Sequence, residues 1–242
     1  MDLASWSRRS VFEFYKDSDN PFWGVTVRLD VTALKVYCRE NKISYFQASF
    51  FLLGVTANEY EPIRYRIRKT KEENSEEETK TVVIHDRVHM SSTVLREDET
   101  FGFVLFDDHY ESFHDYSVAA QTKVAQFHTT PSGLNVLDDN DDHDNSDAFR
   151  DDVMHGTVLP WIDFEGFEHA KAIIHFESIP KFVFGKLVES TTTATDGGTP
   201  STKWSQSFSL HVHHGLMDGL HMGRFLEKFQ ANLDNAAALL KD

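Results

Sequence analysis

The most constraining feature of this chain is a strand that ends in two histidines and turns into a helix. Apolar and polar residues alternate over 208–213, which is typical of a half-buried strand. The alternation stops at His214, and two glycines flank a turn over 215–219. Apolar residues then recur at helical spacing, which predicts a helix over 220–241. His214 therefore lies where a strand ends, and Asp218 lies where it can cap the helix.

Length and composition indicate a globular protein with a sizeable core. The chain has 242 residues, of which 40% are hydrophobic and 13% aromatic, including twenty phenylalanines. This length suits a single domain. The net charge of −15 disfavours a nucleic-acid surface or an anionic membrane as a partner. Because the chain is so acidic, a binding site for an anionic cofactor would need basic residues at its entrance.

Cysteine use and the first residues predict a cytoplasmic protein. The lone Cys38 excludes an intrachain disulfide and suits a reducing compartment. It falls in a predicted helix, where a small core residue is expected rather than a nucleophile. Residues 1–4 lack the basic and apolar regions of a signal peptide. No apolar run reaches the roughly 18 residues that span a bilayer.

Strand and helix patterns are mixed along the whole chain. Strands are predicted over 23–29, 64–68, 82–85, 88–95, 100–106, 170–176, 181–188 and 204–213, and helices over 31–41, 47–60, 110–127 and 220–241. Neither an internal repeat nor an interdomain linker is evident, so residues 1–242 are expected to form one domain. The pattern predicts an α/β or α+β two-layer sandwich, a mixed β-sheet covered on one side by helices.

An acidic insertion over about 138–152 is the most unusual segment. It carries eight aspartates. A calcium loop needs a central glycine and a terminal glutamate at fixed spacing, and both are missing here. We therefore expect an exposed acidic loop rather than a cation site.

The residues themselves favour general-base chemistry at His214. A histidine that deprotonates an alcohol or a thiol needs a fixed tautomer, and the oxyanion that then forms needs a donor. His214 is the candidate base and Thr157 the candidate hydroxyl. Zinc is the weaker alternative. His211 and His213 share a strand face and His221 follows, but no matching cysteine or carboxylate cluster accompanies them.

Several motifs carry a resemblance to a known family. The order His213-His214-x-x-x-Asp218-Gly219 resembles the signature of the chloramphenicol acetyltransferases and of the catalytic domain of dihydrolipoamide acyltransferases. Both are CoA-dependent acyltransferases with one fold. Further segments, in the right order along nearly the whole chain, are similar to the chloramphenicol acetyltransferases: Trp6-x-Arg8-Arg9, Leu29-Asp30-Val31-Thr32, Arg64-Tyr65-Arg66-Ile67, Glu99-Thr100-Phe101-Gly102 and Leu159-Pro160-Trp161.

The resemblance implies roles for four residues at the reaction centre. His214 would be the general base, with its tautomer held by a backbone carbonyl. Asp218 would pair with Arg8 and tie the N-terminal segment to the turn. Thr157 stands where the family usually has serine and would donate to the oxyanion. No metal is implied.

The resemblance also implies the substrates and the assembly. Tyr15, Trp23 and Phe101 match aromatic positions of an acceptor pocket, and Lys186 matches a basic position near the CoA end. The co-substrate would be acetyl-CoA, and the acceptor chloramphenicol or a similar small hydroxyl compound, so that the antibiotic is inactivated. Family members are trimers whose active sites lie at subunit interfaces.

The chain departs from the family pattern mainly in the acceptor pocket. Phe103, predicted to line it, replaces a small residue, His155 replaces an asparagine and Val183 a threonine. His169 and Lys171 stand where the family has aliphatic residues. Two alternatives therefore remain: an acyl-CoA-dependent acyltransferase with a different small acceptor, and a non-catalytic trimeric binding module.

Overall fold

The predicted helices and strands that lie in the described part of the chain occur in the predicted order, but a helix over 9–15 and a strand over 153–158 were not predicted. The computed structural model describes residues 1–71, 78–106, 111–130, 150–170, 178–192 and 201–241. The helices are α1 (Arg9–Tyr15), α2 (Thr32–Asn41), α3 (Tyr45–Asn58), α4 (Phe113–Thr129), α5 (Gly219–Asp234) and α6 (Ala236–Leu239). The strands are β1 (Phe22–Asp30), β2 (Tyr65–Lys71), β3 (Glu78–Ile84), β4 (His89–Leu95), β5 (Phe101–Phe106), β6 (Val153–Val158), β7 (Lys181–Thr192) and β8 (Ser201–His213).

The strands form a mixed sheet, which confirms the predicted fold class. Six strands pair in the order β1-β8-β7-β6-β4-β5. β6 runs parallel to β4 and β7, and the other pairs in this sheet are antiparallel. β2 and β3 form a separate hairpin sheet. The predicted strand over 170–176 falls almost entirely outside the described residues, as do Lys171 and residues 138–149 of the acidic insertion.

Phenylalanines fill the space between one face of the main sheet and the helices. Phe182 and Phe208 of the sheet pack with Phe50 of α3 and Phe229 of α5, and all four are buried. Side chains alternate along a strand, so the residues between these phenylalanines point the opposite way. We call that opposite side the far face, and it carries the following residues: Ser91 and Thr93 of β4, Phe101 and Phe103 of β5, His155 and Thr157 of β6, Lys181 and Val183 of β7, and Ser209 and His211 of β8.

A buried arginine joins the hairpin sheet to the start of β6. Arg66 of β2 is fully buried, and its guanidinium donates to the carbonyl oxygens of Asp151 and Val153 at 2.6 and 2.7 Å. It also donates to the carbonyls of Ile63 and Tyr65. Burial lowers the pKa of Arg66 to about 10, so the group stays charged at neutral pH. This side chain fixes the strand that carries His155 and Thr157.

Within the described residues, none of the helices combines the length and the apolar character that a membrane span requires.

Candidate active site

His214 is held between two aromatic rings directly after β8. Its backbone N–H donates to the carbonyl of Pro21 at 2.8 Å. The ring of Tyr15 stacks on the imidazole at 4.2 Å and 10°, and the indole of Trp23 lies at 5.3 Å. Trp23 Nε1 donates to the carbonyl of Met217, which fixes the indole to the turn. Tyr15 and Trp23 therefore orient the imidazole, which is only half-buried.

The tautomer of His214 is not held in the way that the resemblance implies. His214 Nδ1 is buried, and no carbonyl or other group among the described residues hydrogen-bonds to it. The stacked rings restrict the imidazole plane, but they do not choose which nitrogen carries the proton.

Arg8 and Asp218 meet as the resemblance implies. They form an ion pair that joins α1 to the turn before α5, and Arg8 also donates to the carbonyl of His214 at 3.4 Å. Asp218 caps α5, because its Oδ1 accepts from the backbone N–H groups of Leu220 and His221. Burial acts to raise the pKa of Asp218, but hydrogen bonds from His221 and Arg8 outweigh it and hold this pKa below its usual range.

His221 is a third member of this network that the sequence analysis weighed only as a zinc ligand. Its Nδ1 lies 2.7 Å from Asp218 Oδ1 and 3.5 Å from a terminal nitrogen of Arg8. The three-residue separation of Asp218 and His221 places both on one side of the first helical turn, and this spacing was visible in the sequence.

The zinc alternative finds no support in the described part of the chain, where no three His, Cys, Asp or Glu side chains are arranged to hold a metal. His213 instead supports the turn. It is buried, and its Nδ1 accepts a hydrogen bond from the backbone N–H of Gly215 at 3.1 Å. Burial, with smaller effects from Lys80 and His214, lowers the pKa of His213 to about 4. His213 is therefore neutral at neutral pH.

Thr157 lies on β6 beside a second hydroxyl. Thr93 Oγ1 donates to Thr157 Oγ1 at 3.3 Å, which leaves the hydrogen of Thr157 available to another acceptor. Phe103 and Phe101 of β5 pack edge to face at 6.2 Å on the same side of the sheet, and Phe103 is also 6.2 Å from the ring of His155. These aromatic residues therefore flank Thr157 rather than His214. Thr93 gave no signal in the sequence.

A cavity of about 560 Å³ lies beside the end of β6. It borders Thr93 and Val158, the neighbours of Thr157, and continues along Pro160 and Trp161. The wall contributed by the helices is mostly apolar and includes Phe46 and Ala120, Val124, Ala125 and His128. Lys186 is exposed nearby, and its backbone N–H donates to the carbonyl of Ile162, next to Trp161.

One chain does not bring Thr157 and His214 together. Thr157 is paired with Val183, and Val183 with Ser209, which is five residues before His214 on β8. Two strand spacings and five residues of rise place Thr157 and His214 about 20 Å apart. The predicted site residues therefore lie in two separate groups, which we call half-sites. The base half-site is the group of Arg8, Tyr15, Trp23, His214 and Asp218, and the hydroxyl half-site is the group of Phe101, Phe103 and Thr157.

Buried neutral histidines should make the fold sensitive to acid. Burial is the main reason that the pKa values of His155, His169 and His213 are lowered to about 4. Unfolded, each would titrate near 6.5, so the unfolded chain binds more protons below that pH. We expect the free energy of unfolding to fall from about pH 6.5 towards pH 4. His155 and His213 should each contribute up to about 1.4 kcal/mol per pH unit, and the more exposed His169 less.

Urea unfolding between pH 4 and pH 8 measures this dependence. Stability should be nearly constant above pH 7. A free energy of unfolding that stays level down to pH 5 would contradict the neutral, buried state of these imidazoles.

Comparison with known proteins places the chain in a family. A model of the chloramphenicol acetyltransferase family matches residues 1–230. The chain belongs to the chloramphenicol acetyltransferase family. It is 24% identical over 97% of its length to a chloramphenicol acetyltransferase of Klebsiella sp, of which 93% is covered. It is 22% identical to chloramphenicol acetyltransferase 2 of Haemophilus influenzae, with 97% and 96% of the two chains covered.

Solved structures show the same fold. A chloramphenicol acetyltransferase superposes with a TM-score of 0.73 at 18% identity, over 96% of this chain and 98% of that one. The dihydrolipoamide acetyltransferase of Azotobacter vinelandii gives 0.61 at 14% identity, over 91% and 84%. The predicted family is thus confirmed, and membership makes this chain an acetyltransferase, in a family that uses acetyl-CoA as co-substrate.

Proposed function

We propose that this protein moves an acetyl group from acetyl-CoA to a hydroxyl of chloramphenicol or a similar small acceptor. The observation that carries the proposal is the imidazole of His214, oriented by Tyr15 and Trp23 and left half-exposed at the end of β8. A base presented in this way can reach a hydroxyl that arrives from outside the chain. Family membership supplies the reaction class.

The proposed reaction is a direct transfer. His214 removes the proton of the acceptor hydroxyl as its oxygen attacks the thioester carbonyl. Thr157 donates a hydrogen bond to the tetrahedral oxyanion. The intermediate then collapses, the C–S bond breaks, and His214 returns the proton to the departing CoA sulfur. No covalent bond to the protein forms.

The two half-sites can act together only if they come from different copies. A separation of about 20 Å is far beyond hydrogen-bond reach, so Thr157 of one copy must face His214 of another. Phe101 and its pairing partner Leu95 are 51% and 49% exposed beside Thr157, which suits a surface that a second copy covers. Repeating one such unequal contact gives a closed ring when the rotation between copies returns to the first copy. We propose the homotrimer of the family.

Lys186 supports binding of the acyl donor near the end of β6. Its side chain is exposed and its backbone N–H bonds to Ile162, next to Trp161, so its charge would attract the phosphates of CoA to a chain with a net charge of −15. The cavity borders α3 and α4, on the face of the sheet opposite the Thr157 side chain, so the thioester must reach Thr157 from the far face.

A thiol-release assay tests the proposed function. We expect CoA to be released from acetyl-CoA when chloramphenicol is added, and acetylated chloramphenicol to appear by mass spectrometry. Release only with another hydroxyl, amine or thiol compound would favour a related acyltransferase. Release with none of them, although acetyl-CoA binds, would favour a binding module and contradict the proposal.

Substitutions of Thr157 separate hydrogen bonding from packing. Thr157→Ala removes the oxyanion donor and should lower kcat by roughly 10²-fold or more. Thr157→Ser keeps the hydroxyl and should retain most of the activity, and Thr157→Val keeps the shape and should resemble the alanine variant. An alanine variant as active as the wild type would remove the oxyanion role from Thr157.

A further inference from the structure

A cluster of nitrogen-bearing side chains lies on the far face, one step along β6 from Thr157. His155, Lys181 and His211 are register neighbours on β6, β7 and β8. His169 packs edge to face on His211, with ring centroids 5.2 Å apart, and Lys181 Nζ donates to the carbonyl of Ala170 at 3.1 Å. We call His155, His169, Lys181 and His211 the imidazole cluster.

The charges that act on this cluster are positive, although the chain as a whole is strongly acidic. Burial is the main cause of the low pKa of His155, about 4, and Lys181 and Arg66 lower it further. Burial also dominates for His169, and His211, Lys181 and His155 act in the same direction. The positive charges of Lys181 and Arg66 would favour an anion bound here, and the imidazoles can donate hydrogen bonds to it.

Three polar atoms in and beside the cluster have no hydrogen-bond partner among the described residues. They are His155 Nδ1, His169 Nε2 and Ser91 Oγ, and all three are buried. Ser91 is the register partner of His155 on β4. A buried polar atom without a partner costs about 1–3 kcal/mol. His155 Nδ1 and Ser91 Oγ belong to paired residues of β6 and β4, and His169 lies against His211 on the other side of Lys181. A polar group from outside the chain that binds on this part of the far face would supply the missing partners.

The cluster lies within reach of an acceptor bound at Thr157. His155 and Thr157 are two residues apart on the same face of β6, a separation of about 7 Å. The ring of Phe103 lies 6.2 Å from the ring of His155 and beside Thr93, the hydroxyl neighbour of Thr157. Phe103 therefore offers a flat apolar wall between the two ends of an acceptor.

We propose that the acceptor is a hydroxy-carboxylate. Its hydroxyl reacts at Thr157, a flat apolar spacer packs on Phe103, and its carboxylate binds His155 and His169 beside Lys181, about 7 Å from the hydroxyl. This assignment rests on the proposed acetyl transfer, because that reaction places the hydroxyl. Phe103 and His155 thus become specificity-determining residues.

Two probes that differ only in charge test this assignment. 4-(Hydroxymethyl)benzoate and 4-(hydroxymethyl)benzamide each carry a hydroxyl and a polar group at opposite ends of one ring. We expect kcat/KM, from acetyl-CoA-dependent thiol release, to be at least tenfold higher for the benzoate. His155→Asn and Lys181→Met should each bring the ratio of the two kcat/KM values close to one. His114→Asn, on the exposed side of α4, is the matched control and should leave the ratio unchanged.

The binding of both probes, measured by calorimetry, distinguishes failure of the hydroxy-carboxylate proposal from failure of the proposed acetyl transfer. Turnover of the benzamide or of chloramphenicol, without a preference for the benzoate, would overturn the hydroxy-carboxylate acceptor and leave acetyl transfer standing. Tenfold tighter binding of the benzoate that is lost in His155→Asn, without turnover of any acceptor, would support the anion site and contradict acetyl transfer. Equal binding, or none, without turnover would overturn both.

Discussion

Replacing His214 with alanine should lower kcat by at least about 10²–10⁴-fold, the contribution of a general base, and by more if positioning is lost with it. The fold should remain intact. The backbone bond from residue 214 to Pro21 does not involve the side chain, and Tyr15 and Trp23 stay anchored by their own contacts. Activity is measured by thiol release, and stability by urea unfolding.

A matched control separates this effect from the loss of any histidine. His114→Ala removes an imidazole from the exposed side of α4, away from both half-sites, and should leave kcat unchanged. A His214→Ala enzyme that keeps half of the wild-type kcat would show that His214 is not the base.

The local architecture around His214 was predictable because the signals are local. A period of two changes to a helical period within a few residues, and the structure confirms β8 followed by α5. The end of the helix was less predictable. Apolar spacing continues to residue 241, whereas α5 ends at Asp234 and a separate short helix follows. Ser44 caps α3, so that helix begins two residues before the apolar pattern suggested.

Other features depend on contacts between distant residues. Arg8 and Asp218 are 210 residues apart, and only the family resemblance indicated that they meet. Arg66 was identified only as part of a predicted strand and of a family-like segment, and its complete burial was not predicted. Its hydrogen-bond partners are backbone carbonyls, some of them more than 80 residues away in the chain. Every residue has a backbone carbonyl, so the sequence does not indicate which ones bind Arg66.

The division of the site is also a property of the sheet rather than of the sequence. His214 and Thr157 were each identified as reaction-centre residues, but their separation within one chain follows from the pairing of β6, β7 and β8. Strand order and register are decided by packing over the whole domain, so no local pattern contains them. The imidazole cluster arises in the same way, from three strands and a loop that are distant in sequence.

Mixed assemblies of two inactive variants test whether the site forms between copies. His214→Ala chains supply an intact Thr157, and Thr157→Ala chains supply an intact His214. When the two are co-expressed in equal amounts, a site that draws one residue from each is complete. Random assembly into a closed ring should then restore roughly one quarter of the wild-type thiol-release rate, since each partner is correct half of the time.

Each variant assayed alone, and the two purified variants mixed without exchange of subunits, should remain inactive. If each active site takes His214 from one copy and Thr157 from another, co-assembly must restore about one quarter of the wild-type thiol-release rate. Co-assembled chains that recover nothing, while His214→Ala and Thr157→Ala are each inactive alone, would place both residues in a site within one chain and contradict the separation read from the sheet.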